Sequence, residues 1–425
     1  MAKVAIPPLK PESRTAMSDA AAPAAGESRQ SFPEFVGLMA CMMAMTAFSI
    51  DIMLPGLPAI GAYYAVADPN APQLVVFCYL AGFALGQPLF GPLSDQYGRR
   101  PLLFFGMAVY VLATFAAFLA PSFEAMLGAR ALQGFGSAAG RILAVAIVRD
   151  RFAGRAMAEV MSFVMMVFIF APVIAPTIGA GMIAMGDWKA AFYFLFLLAA
   201  IVVVWAYFRL DETLPAHARQ PVSAGSLLHA IKRVATTRQT VGYMCASGFV
   251  FGALMSYVAA SEQIFADVYG FEKAFPYLFG ASALSIAAAS LFNARVVEKI
   301  GMRRLSQGAL LMQVAICALV AVSGFPEHPP FWLMMVFVAI MLFGVGIIGP
   351  NFNALAMEPM GDIAGTASSA LGFFTTATSA AFGAMVAQSF DGTMRPMFIG
   401  MTALAVGALL TVAVAEKGRL FEASV

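Results

Sequence analysis

Charge is what this sequence has least of. Only 11% of its 425 residues are Asp, Glu, Lys or Arg, while 61% are hydrophobic. Soluble domains carry about 25% charged residues. With a mean hydropathy of +0.83, the chain reads as an integral membrane protein rather than a soluble one with a large core. Net charge is only +2, which excludes bulk attraction to nucleic acid. There are three histidines, His217, His229 and His328, all in connections, so no histidine metal or catalytic cluster is suggested. The four cysteines, Cys41, Cys78, Cys245 and Cys317, lie inside apolar runs without metal-like spacing and read as small packing residues. A phosphate-binding loop of the Gly-x-x-x-x-Gly-Lys-Ser/Thr type is missing, which argues against ATP-driven work. Nor is there a nucleophile–base constellation or a soluble domain, so a membrane enzyme or receptor lacks support.

Apolar runs are what the chain has in abundance. Twelve spans are predicted at roughly 35–56, 73–92, 101–120, 123–148, 157–183, 187–208, 239–261, 274–296, 304–324, 331–351, 364–387 and 396–415. Residues 1–33, rich in Ala, Pro and Ser, are expected to form a disordered cytoplasmic tail and not a cleavable signal peptide. The longest connection, 209–238, divides a first bundle (34–208) from a second (239–415), with 416–425 as a second tail. Within it Leu227, Leu228, Ile231 and Val234 share a helical face, which suits either an amphipathic surface helix or a plain solvated linker. Of the 25 Lys and Arg residues, three (Lys189, Lys273, Arg395) fall in connections on one side and two (Arg130, Arg141) inside a span. The other twenty lie on the side of the termini, which predicts that both termini are cytoplasmic.

One connection is specific. Gly91-Pro92-Leu93-Ser94-Asp95-Gln96-Tyr97-Gly98-Arg99-Arg100-Pro101-Leu102 joins the second and third predicted spans. Its charges must sit at a membrane surface, and Gly98 suits the reversal. A degenerate copy, with Glu298, Gly301 and Arg303, recurs 203 residues after Asp95, Gly98 and Arg100, which predicts two parallel six-helix repeats. The stretch resembles the Gly-x-Leu-x-Asp-x-x-Gly-Arg-(Arg/Lys)-x-x-Leu motif of major facilitator superfamily transporters. The resemblance implies an all-α fold of two pseudo-symmetric six-helix bundles. It also implies a conformational latch of Gly91, Asp95, Gly98, Arg99 and Arg100, with Arg99 pairing Asp150 at the end of the fourth span. Read from the residues alone, Asp150 is equally a solvated charge at a helix terminus.

Charges inside spans are the other candidates. Asp51 lies about 24 Å along its helix from Phe35, at a depth where a carboxyl needs a partner or water. It reads as a proton carrier or cation-binding group, or as one arm of a fixed salt bridge. The segment Asp51-Ile52-Met53-Leu54-Pro55-Gly56-Leu57-Pro58 is similar to the Asp-x-x-Leu-Pro-x-Leu-Pro signature of the drug:proton antiporter branch, particularly the Bcr/CflA group. In the fourth span Arg130, Gly134, Ser137 and Arg141 share a face, with Gln133 beside them, which points to the bundle interior. Arg130-x-x-Gln133-Gly134 resembles the family motif whose arginine is linked to proton coupling, so Asp51 and Arg130 are expected to act as a pair. Arg141 suits an anionic or carbonyl-rich substrate, or backbone carbonyls. Pro172, Pro176 and Gly179 resemble the antiport motif of the fifth span; ordinary proline-kinked packing is the other reading. Gln133, Ser137, Arg141, Phe251 and Tyr257 are candidates for a substrate cavity, although the aromatics also suit packing. Glu262 is expected near the outer surface and solvated.

Together these readings imply a proton-coupled exporter of small, largely apolar drugs, working by alternating access. It would be a monomer in the inner (plasma) membrane, with protons, a small-molecule substrate and the lipid bilayer as partners. It would need no cofactor beyond the proton gradient. A proton-coupled uptake symporter on the same fold is the alternative.

Overall fold

The computed structural model describes residues 30–219 and 224–422. Most of the predicted N-terminal tail, residues 1–29, lies outside them, as do linker residues 220–223. The described chain is all helical. Its α-helices are α1 (Phe32–Asp51), α2 (Leu57–Tyr63), α3 (Leu74–Tyr97), α4 (Arg99–Phe118), α5 (Phe123–Arg151), α6 (Gly154–Ala184) and α7 (Lys189–Arg209), then α8 (Ala224–Thr236). The second half follows as α9 (Arg238–Gln263), α10 (Phe275–Ile300), α11 (Met302–Val322), α12 (Phe331–Met357), α13 (Ala364–Ala387) and α14 (Arg395–Ala415).

Among the described residues twelve helical stretches are long and apolar enough to cross a membrane, as the hydropathy pattern predicts. Helices are favoured there because each satisfies its own backbone groups without water. The first stretch departs most from prediction. It runs Phe32–Tyr63 because α1 ends at Asp51, turns through Leu54–Gly56, where Pro55 removes a backbone donor, and resumes as α2. The helix between the halves, α8, exposes Leu228 and Ile231 and buries Val234.

Small residues set the spacing within the first half. A Cβ on Gly82 would fall 1.7 Å from the Ala131 carbonyl oxygen, and one on Gly134 1.9 Å from that of Tyr79. The α3 and α5 backbones therefore touch, holding the polar face of α5 inside the half. The halves meet chiefly through α3 against α13 and α6 against α10. Below, the bundle end carrying the termini is called proximal and the opposite end distal.

Candidate functional site

At the proximal end, α3 reverses into α4 through Gly98, whose φ of +100° few other residues adopt. Arg99 opens α4 and is 4% exposed. Its Nε donates to Asp150 Oδ2 at 2.9 Å, and its Nη1 to Asp95 Oδ1 and Ser94 Oγ. The structure thus joins Asp95, Arg99 and Asp150. A further carboxylate, Glu212, comes from just past α7. It accepts the backbone N–H groups of Arg99 (2.9 Å) and Arg100 (3.1 Å), the otherwise unpaired donors at the start of α4. The Arg100 guanidinium pairs with no carboxylate among the described residues; it lies over the rings of Phe104 and Tyr207 and donates to the Tyr207 carbonyl. All of these partners belong to the first half or the segment after it. Gly91 alone faces the second half, where a Cβ would come within 3.0 Å of Ser369 Oγ in α13.

The second half repeats this end with different residues. Gly301 turns α10 into α11 at φ +89°. Arg303 then reaches Glu358 at 3.0 Å, just past α12, and Glu416 at 3.1 Å, just past α14. Tyr243 also donates to Glu416, and Gln307 donates to Tyr243.

In the interior, Arg130 is fully buried on α5. Its Nε donates to the Val75 carbonyl (3.1 Å), its Nη2 to the Ser49 carbonyl (2.8 Å) and its Nη1 to Gln133 Oε1. Its guanidinium stands 4.7 Å from the Tyr79 ring centroid. Gln133 passes the network to Thr114, while Ser137 is bonded by Tyr79 and Thr46. Asp51, 5% exposed, makes no hydrogen bond or ion pair with any described residue. The direct Asp51–Arg130 pair expected from equal depth is therefore not formed. The α1 carbonyl two residues earlier takes the guanidinium instead, and α1 ends before its acid turns toward α5.

The turn after Asp51 is packed against α6. Gly179 packs against Ile52, where a Cβ would sit 2.3 Å from the carbonyl oxygen. Pro172 and Pro176 lie in the same helix, and beside them the Val173 backbone meets Gly280 of α10. The proline-bent helix thus touches both Asp51's turn and the other half.

Three of the five cavity candidates are occupied by protein. Gln133 and Ser137 sit in the Arg130 network, and Tyr257 is buried, bonded to Ser282 Oγ at 2.8 Å and stacked on Phe279. Each satisfies its polar atom within its own half, which a residue facing apolar surroundings must do. Arg141 and Phe251 are half-buried; Arg141 lies over Phe83, and Phe251 covers Gly349 of α12.

At the distal end four carboxamides join the halves. Asn70 Nδ2 donates to the Phe390 carbonyl (2.7 Å), and Gln388 Nε2 to the Asn70 carbonyl (2.7 Å) and Gln73 Oε1 (3.0 Å). Gln73 donates to Gln263, whose Nε2 donates to the Pro69 carbonyl and Asn70 Oδ1. Glu262, expected to be solvated, is instead 6% exposed; α9 runs on past it through a π-turn, Ile264–Val268, with Ile264 and Phe265 in the core.

The sequence pattern of the Major Facilitator Superfamily matches residues 39–384. A bicyclomycin resistance protein homolog of Haemophilus influenzae is 29% identical over 377 residues, 88% of this chain and 94% of that one. A chloramphenicol resistance protein of Pseudomonas aeruginosa is 30% identical over 354 residues, 79% of this chain and 78% of its own. Among solved structures, the peptide transporter POT in complex with sulfate superposes with a TM-score of 0.73 at 13% identity, covering 92% of this chain and 96% of that one.

Proposed function

The chain belongs to the major facilitator superfamily, and from that membership we propose that it is a proton-coupled exporter of small, largely apolar drugs, of the Bcr/CflA type. The observation that carries the proton coupling is Asp51, a buried carboxyl without a cation or hydrogen-bond donor. Dehydration of this kind favours the neutral acid, and exposure to water favours the carboxylate. A transporter that alternately buries and wets Asp51 would therefore bind and release one proton per cycle. Arg130 acts beside it as a fixed positive charge, held by carbonyls and Gln133.

The bend at Pro172 and Pro176 supplies the means. Because α6 touches the turn after Asp51 and α10 together, rocking of the halves changes how tightly Asp51 is enclosed. The Asp95–Arg99–Asp150 latch and Arg100 hold the first half rigid, with Gly91 as its contact with α13. Arg141 and Phe251 line the substrate path, and Gln133, Ser137 and Tyr257 shape it from behind. The charge distribution supports the proximal end as cytoplasmic, in the inner (plasma) membrane. The two bundles and the connecting segment, 209–238, act as one monomeric unit.

The names of the two relatives support antibiotics as the cargo. The test is efflux of a drug panel from loaded vesicles under an imposed proton gradient. Drug-driven proton movement opposite to the drug supports the proposal. Movement in the same direction would replace it with uptake symport.

A further inference from the structure

We propose that Glu262 is a second proton-binding group, in the half opposite Asp51, whose protonation holds the distal carboxamide seal shut. Neither the Asp51 argument nor the identity of the drug enters into it. Glu262 is more than nine-tenths buried and has no hydrogen bond or ion pair with any described residue. The charged groups near it, Asp267 on the π-turn and Glu272 on the turn after it, are both acids. The distal cations are placed elsewhere: Lys189 donates to Tyr63, Arg395 is paired with Glu327, and exposed Lys273 makes no ion pair.

Its chain neighbour is the link. Gln263 is the α9 member of the seal, bonded to Pro69, Asn70 and Gln73 of the first half. A carboxylate at position 262 must reach water or take up a donor, and only 6% of the residue is exposed where it stands. Rehydrating it requires the end of α9 to move, and Gln263 moves with it. A neutral Glu262 is stable in place. Closed seal and bound proton are thus two faces of one state, and each must stabilise the other by the same amount.

The test uses the full chain with Cys41, Cys78, Cys245 and Cys317 replaced by alanine, in lipid nanodiscs. Spin labels go on cysteines at Ala67 and Ser389, both exposed and one on each side of the seal. The distance between them is measured from pH 5 to pH 9. We expect a single short distance at low pH and a growing longer population as pH rises. Glu262→Gln should hold the short distance throughout, whereas Asp51→Asn should keep the pH response at this pair. Asp267→Asn with Glu272→Gln, which leaves Glu262 in place, should move the midpoint to lower pH, because two like charges opposing the carboxylate are gone. A normal pH response in Glu262→Gln overturns the proposal, as does a pH-independent distance in the wild type. Should Glu262→Gln not fold, an unmoved midpoint in the double variant overturns it equally.

Discussion

The two halves share a proximal end and differ inside. Each turns its second span into its third through a glycine at positive φ and follows it with an arginine held by two carboxylates. In each, one of those carboxylates stands at the end of the half's fourth span: Asp150 in the last turn of α5, Glu358 just after α12. The interiors then part. The first half buries Asp51 and Arg130 within its spans and holds Arg141 half-buried. The spans of the second half carry their charges only toward their ends, and α12 and α13 have none. Duplicating the frame thus kept the anchoring chemistry at the surface, where charges are cheap. Interior charge, which is costly, survives as Asp51 and Arg130 in the first half and as Glu262, near the distal end of α9, in the second.

Asp51→Asn should widen that difference most: proton-driven efflux falls to background while drug binding persists, because the amide mimics the neutral acid without titrating. Normal drug-induced proton release in this variant would remove Asp51 as the carrier. Next come the two anchors. Arg99→Ala strands carboxylates around a nearly buried arginine and should cost about 1–3 kcal/mol of stability. Arg303 is nearly as buried, and Glu358 and Glu416 are covered much as Asp95 and Asp150 are, so Arg303→Ala should cost a similar amount. A clear gap between the two in thermal melts of the purified protein would set the anchors apart. A finer test concerns Asp51 and Arg130. Because they make no direct bond, Asp51→Asn and Arg130→Ala should combine in stability with a coupling energy under about 0.5 kcal/mol. A larger value in a double-mutant cycle on thermal melts would mean that they interact directly. The smallest effect belongs to Glu212→Gln, which weakens the cap on α4 by about 0.5–1 kcal/mol and has no counterpart expected in the second half. Melting of the variant alongside the wild type measures it.

Much of the architecture was legible beforehand. Runs of apolar residues announce spans because a bilayer leaves the backbone few alternatives, and the Asp95-to-Arg100 stretch marked the reversal and its anchor. The departures have a common cause. Position along a helix gives depth but not the direction a side chain faces, so equal depth paired Asp51 with Arg130 when the guanidinium in fact takes the Ser49 carbonyl. Glu262 reads as solvated because nothing in the residues after it announces that α9 runs on through a π-turn. The carboxamide seal was invisible for another reason. Asn70, Gln73, Gln263 and Gln388 come from three chain regions, and each alone is an unremarked amide at a helix end. The family resemblance spoke for motifs within each half and was silent on contacts between them.

That seal has no net charge. Around an exposed ion pair such as Arg395–Glu327, the reach of the field contracts from about 10 Å at 0.1 M salt to about 3 Å at 1 M. Carboxamides donating to carbonyls feel little of this. If the distal end is the outer one, the closure facing the environment keeps its strength across brackish and dilute surroundings alike. The ion-paired proximal end would then face a cytoplasm whose ionic composition the cell itself regulates.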